Sequence, residues 1–124
     1  MIAPHEGREL KLMLAGEKPM AAFGDVVPLS GLILEGIIPE NAFAPYVVQG
    51  RFLRFSQETK SVKDGKITRH VCFTQPNESW RAHAFLWLRK NMHEGLIPND
   101  ASCDIMIGRL LGYQESDIQE FITQ

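Results

Sequence analysis

Three features of this sequence predict an α+β fold, a small and mainly antiparallel sheet with a central hairpin, covered by helices. The stretch PNESWRAHAFLWLRKNMHEG, Pro76–Gly95, carries a helix start, a helical period and a helix stop together. Ahead of it, Lys63-Asp-Gly-Lys66 signals a hairpin, because Asp-Gly supplies the positive φ angles of a two-residue turn. Two shorter helical patterns follow Gly95. The 124 residues are enough for a single α+β domain, 1–124, with one sizeable core.

From the N-terminus, His5–Ala15 reads as a short helix, with Leu10, Met13 and Leu14 on one broad face and Gly16 and Pro19 ending it. Met20–Phe23 predicts a short strand, limited by Gly24, Asp25 and Pro28. Gly31–Pro39 reads equally as a buried strand or an irregular apolar loop. Phe43–Gln57 is expected to be extended, with Pro45 near its start and Gly50 at a bend. Ile67–Gln75 returns as a strand with Ile67, Val71 and Phe73 on one face and Thr68, His70, Cys72 and Thr74 on the other.

The hairpin raises a register problem. A plain two-residue turn pairs Val62 with Ile67 and puts Leu53 and Phe55 opposite the face of Val71 and Phe73. A one-residue shift would bring all four together. A bulge near Ser56–Ser61, or a longer loop, is therefore expected, with that apolar side under the Pro76–Gly95 helix.

In that helix Asn77 or Ser79 is the expected N-cap and Gly95 the left-handed residue after the end. At about 100° per residue, Trp80, Ala84, Phe85, Trp87, Leu88 and Met92 share an arc of roughly 160°. Both tryptophans are thus expected in the core. Leu86 falls among the polar residues and marks either a partly exposed leucine or a subunit interface. Asn99 or Asp100 can cap a helix over Ala101–Leu111, and Ser116 or Asp117 begins a last helix anchored by Ile118, Phe121 and Ile122.

Composition narrows the classes of function. With 44% hydrophobic and 23% charged residues, a folded chain is expected rather than a disordered one. No apolar run could span a bilayer, the first residues do not read as an export signal, and two cysteines do not make a disulfide framework. A cytoplasmic location with no membrane partner is the resulting expectation. Net charge is −2, yet residues 51–90 hold nine basic and three acidic residues, a net of +6. The remainder is −8. Basic segment and acidic flanks are expected to attract one another within the fold or across a dimer.

Chemistry-bearing patterns are sparse. Ile107, Gly108, Leu111, Gly112, Tyr113, Ile118 and Phe121 match the spacing of a DNA-binding helix-turn-helix, but Glu115, Asp117 and Glu120 would repel phosphates, so a plain helical hairpin is expected. Arg51, Arg54, Lys60, Lys63, Lys66 and Arg69 lie with Phe52 and Phe55 on the hairpin, a pattern that can hold a single-stranded nucleic acid by charge and stacking. His70, Cys72, Trp80 and His83 outline a pocket between sheet and helix. No metal-ligand spacing, nucleophile turn or phosphate loop is present, so no metal, cofactor or catalytic residue is expected.

Three classes of function therefore stand. The leading expectation is a non-enzymatic interaction or regulatory protein, most simply a homodimer with Leu86 at its interface. Nucleic-acid binding through the basic hairpin, and a small-molecule or enzymatic pocket at His70, Trp80 and His83, are the alternatives.

Overall fold

The computed structural model describes residues 4–123. It is an α+β protein whose element order is α1 (Glu9–Leu14), β1 (Met20–Val26), α2 (Glu40–Val48), β2 (Leu53–Lys60), β3 (Ile67–Thr74), α3 (Ser79–His93), α4 (Ala101–Leu110) and α5 (Glu115–Ile122). The strands form one antiparallel sheet in the order β1-β3-β2. Gly31–Pro39 is a loop, and β1 runs past Gly24 and Asp25 to Val26.

The sheet is covered on both faces. Antiparallel pairing sets Met20, Ala22 and Gly24 beside Thr74, Cys72 and His70, and these beside Leu53, Phe55 and Gln57. On that side Met20 and Cys72 pack with Ala82, Phe85, Leu86 and Leu88 of α3 and with Ile107 and Leu110 of α4. On the other, Ala21, Val71 and Phe73 pack with Met13, Ile38, Phe43 and Phe52. Phe43 stacks on Phe73 at 4.2 Å between ring centroids.

This corrects the register expectation. The loop is indeed longer than Asp-Gly, because the ladder closes at Lys60–Ile67 and leaves Ser61–Lys66 outside it. The shift is even, however, so Leu53 and Phe55 stay opposite the face of Val71 and Phe73. No one-sided apolar surface forms, since β3 is buried on both faces from His70 to Thr74. Asp64 does not adopt positive φ. Its Oδ1 instead accepts from the Lys66 N–H at 2.9 Å, and the Val62 N–H donates to His93 O at 3.0 Å, tying the loop to the end of α3.

Phe43–Val48 is helical, not extended. The first turn of α2 has its free N–H groups taken by a distant carboxylate: Glu35 accepts from Asn41 N at 2.9 Å and Ala42 N at 3.0 Å. Pro45 removes only one backbone donor from this short, exposed helix. Gly50 is the left-handed residue after the helix rather than a strand bend.

Helix α3 ends where expected. Gly95 has φ +74°, and Leu96 N donates to Asn91 O at 2.9 Å across the turn. Its start lacks the expected cap, for neither Asn77 nor Ser79 takes a first-turn N–H and Glu78 occupies the cap position. Asp100 does cap α4, accepting from Ser102 N and Cys103 N. α4 and α5 pack against each other as a helical hairpin, with Gly108 bare so that Ile118 can lie against it.

Lys18 is a buried cation, 1% exposed. Its ammonium donates to Leu111 O, the carbonyl just past α4, at 2.6 Å and contacts His5 Nδ1 at 2.8 Å. It also lies 4.9 Å from the Tyr113 ring centroid. Burial pushes its pKa down to about 8.

Candidate functional site

The buried stripe of α3 is rotated from the expected arc by roughly one residue step, about 100°. Ala82, Phe85, Leu86 and Leu88 face the core. Leu86 is 8% exposed and packs against the sheet side of the helix, and its carbonyl accepts from Gln57 Nε2 at 2.8 Å. Its side chain belongs to the core between α3 and the sheet, not to the outer face of the helix. Trp80 and Trp87, expected inside, are instead 54% and 58% exposed. The reason is that α3 contacts the sheet on one side and α4 on another, and the tryptophan stripe faces neither squarely.

The tryptophans border a groove between α3 and α4. It encloses about 530 Å³ and is walled by Trp80, Ala84, Trp87, Leu88, Met106 and Leu110. Its two arginines are already engaged. Arg81 pairs with Glu78 at 2.7 Å, lies 4.6 Å from the Trp80 ring centroid, and donates to Arg109 O and Leu110 O at the end of α4. Arg109 pairs with Glu115 at 2.7 Å. The groove therefore offers apolar surface with balanced charge at its rim.

The basic hairpin residues are not one surface. Arg54 grips Glu40 of α2 through two nitrogens, Arg69 pairs with Glu58 at 2.8 Å, and Arg51 donates to Leu14 O. Lys60, Lys63 and Lys66 stay exposed near the loop, without an ion pair among the described residues. The aromatics that would stack bases are withdrawn: Phe52 is buried, and Phe55 is half-buried with its ring edge-on to exposed His83 at 5.1 Å.

The expected His70–Cys72–Trp80–His83 pocket does not assemble. His70 and Cys72 lie beneath α3, whereas Trp80 and His83 lie outside it. Desolvation pushes the Cys72 thiol up to about 12, so it stays protonated and is a poor nucleophile. The Cys103 thiol donates to Pro98 O at 3.1 Å. Among the described residues, no group of three or more His, Cys, Asp or Glu side chains could hold a metal ion.

His70 does reach a cavity, a different one. About 340 Å³ opens along β1, lined by Ala22, Phe23, Gly24, Asp25, Val26, Thr68, His70, Phe85 and Arg89. The imidazole stands edge-on to Phe85 at 5.8 Å and 5.7 Å from His93, which is itself held by Thr59 Oγ1 at 2.8 Å from its Nδ1. Burial, and then the charge of Arg89, lower its pKa to about 4, so the ring is neutral at pH 7. Its Nδ1 is buried without a hydrogen-bond partner.

Arg89, Gly24 and Thr68 were not singled out from the sequence. Gly24, a glycine inside a strand, was the available signal, since such residues often mark a close approach.

No family model matches the chain, and no curated protein or solved structure matches it. Among the described residues no helix is long and apolar enough to cross a membrane.

Proposed function

We propose that this chain is a non-enzymatic interaction protein that pairs with a second copy of itself through the Trp80–Trp87 face of α3. The exposure of both tryptophans beside an apolar groove carries this reading. Tryptophan, arginine and methionine are the residues most enriched at protein interfaces, and large apolar patches with a polar rim mark contact sites.

The spacing favours a two-fold arrangement. Trp80 and Trp87 flank small Ala84 by about one turn each way along α3. An antiparallel α3–α3 contact centred on Ala84 would bring the backbones close at the axis. Trp80 of each copy would then lie beside Trp87 of the other, the same patch meeting itself. Four half-exposed tryptophans would contribute on the order of 500 Å² of buried surface, a large part of the roughly 1,200 Å² a stable interface needs. The ion pairs Arg81–Glu78 and Arg109–Glu115 give the rim both signs of charge, so like copies do not repel.

Sedimentation velocity and native mass spectrometry over a dilution series test this. The expected result is a species of twice the 14.0 kDa chain mass that dissociates on dilution, with tryptophan emission shifting to the red as it does. Ala84→Glu, which puts a charge at the axis, is expected to leave a folded monomer. A monomer at every concentration, or a dimer indifferent to Ala84→Glu, would refute the reading.

A further inference from the structure

The outer strands β1 and β2 each leave one edge without a neighbour among the described residues, and the two edges differ. In an antiparallel ladder alternate residues turn their N–H and C=O groups toward the partner strand, and the others turn them away. Val27 N donates to Ile67 O at 2.8 Å and Gln75 N to Pro19 O at 3.0 Å, so the odd-numbered residues of β1 face β3. The backbone groups of Ala22 and Gly24 therefore point to the open side, where nothing among the described residues bonds to them. Val26 N also points there and is taken by Asp25 Oδ1 at 2.8 Å. Open edges are commonly guarded by charged side chains or proline. β2 carries Arg54, Glu58 and Lys60, whereas β1 from Met20 to Val26 carries one charge, Asp25, and no proline.

This edge borders the cavity along β1, whose lining runs from Ala22 to Val26 without a break. Side chains of a strand alternate between faces, so consecutive residues line one cavity together only through the strand's edge. The start of the strand is closed, since Met20 is fully buried and Gly112 lies against Pro19, but Gly24 and Val26 are exposed. The two faces beside the edge differ in charge. On the α3 side lie Ala22, Val26, Phe85 and the cation Arg89. On the other lies Asp25, and past Phe23 a second cavity of about 440 Å³ whose wall carries Glu6, Glu9 and Glu35. Glu35 is engaged at the start of α2, whereas Glu6, Glu9 and Asp25 form no ion pair among the described residues. Arg69, across the ladder from Asp25, is turned to Glu58 and Gly31 O.

We propose that the open edge of β1 accepts an extended peptide segment of a partner as a fourth antiparallel strand, one that alternates apolar and basic residues. Residues opposite Ala22 and Gly24 exchange both backbone bonds with them and project to the α3 side. Apolar side chains fit there against Ala22, Val26 and Phe85, and a basic one is repelled by Arg89. Residues opposite Phe23 and Asp25 project to the acidic side, where lysine or arginine is matched. A second copy of this chain fits less well, because pairing β1 with itself would gather both sets of Glu6, Glu9 and Asp25 on one face. The edge shares no lining residue with the tryptophan groove, so this site stands apart from the self-pairing reading.

Amide hydrogen exchange and NMR titration of the full chain test this, with a capped hexapeptide of alternating valine and lysine as the probe. In the free protein the Ala22 and Gly24 amides are expected to exchange roughly tenfold or more faster than that of Phe23, which the ladder holds. Saturating peptide is expected to slow both by roughly tenfold or more. N-methylation of the valines removes the donors that face β1 and is expected to weaken binding roughly tenfold or more, whereas N-methylation of the lysines, whose amides face away, is not. Glutamate in place of lysine is expected to weaken binding several-fold. Asp25→Lys is expected to narrow that preference, with Phe23 protection reporting an intact sheet. Ala22 and Gly24 amides as slow as Phe23 in the free chain, no slowing with peptide, valine methylation without effect, or a glutamate peptide that binds equally would each overturn the proposal. So would a charge preference unmoved by Asp25→Lys, or shifts confined to the Trp80–Trp87 face.

Discussion

Replacing Gly24 with alanine tests how tightly the cavity is built. The new Cβ would stand 2.5 Å from His70 Cδ2, 3.0 Å from His70 Nε2 and 3.2 Å from Arg69 O. Carbon atoms rest at about 3.5–4.0 Å, so the overlap with the ring is about 1 Å. The Arg69 carbonyl is fixed in the ladder, and the imidazole is flanked by Phe85 and His93, so relief requires moving packed groups. Overpacking of this kind costs roughly 1–3 kcal/mol, against about 0.4–1 kcal/mol recovered from the stiffer unfolded chain. The expected net loss is about 1–2 kcal/mol, or roughly 4–8 °C in Tm for a chain of this size. Urea unfolding followed by far-ultraviolet circular dichroism reads it. The decisive version is a double-mutant cycle. In a His70→Ala background the same substitution should cost much less, since the imidazole is gone and only the 3.2 Å approach to Arg69 O remains. An equal cost in both backgrounds, or no cost with His70 present, would show that the imidazole does not occupy the space over Gly24. Gly36→Ala, where a Cβ meets nothing within 4 Å, is the control and should stay within about 0.5 kcal/mol of the parent.

Two further predictions concern pH. The His70 pKa is near 4 in the fold against 6.5 for the free side chain, so between those values the unfolded chain binds the extra proton. Its contribution is present above pH 6.5 and lost as pH falls to 4, up to roughly 3 kcal/mol. Comparing urea midpoints at pH 7 and 4.5 should show a slope that His70→Phe flattens; His5, also lowered to about 4 but less buried, shifts it in the same direction. Lys18 acts at the alkaline end, because its folded pKa near 8 lies below the ordinary 10.5 and stability should rise as pH increases from 8. Cys72, raised from 9.0 to about 12, opposes this above pH 9, so the gain is read between pH 8 and 9, where about 1 kcal/mol is expected and Lys18→Met should abolish it.

Helix ends were the most legible feature of the chain. Gly95 and Asp100 act locally, through their own backbone or a side chain two or three residues away, and both do what short-range chemistry predicts. Longer-range features were hidden. Pro45 argued for an extended segment because nothing nearby announced that Glu35 would reach the first turn of α2. The register of the hairpin depended on whether one or both faces of β3 would be covered, which no single strand reveals. On α3 the two tryptophans dominated the apolar count and pulled the inferred arc away from the core, while Arg89 occupied its centre. A half-buried arginine and two exposed tryptophans contradict hydrophobic patterning.

The strand order β1-β3-β2 has a consequence for how the chain emerges from the ribosome. Its central strand is the last of the three to be made. A nascent chain ending at Lys66 would hold both flanking strands and no middle. The β2–β3 hairpin can zip locally once Ile67–Thr74 appear, but β1 must wait and then dock across the intervening helix and loop. The sheet therefore closes only after Thr74, and the core between it and α3 and α4 only once Leu110 has followed.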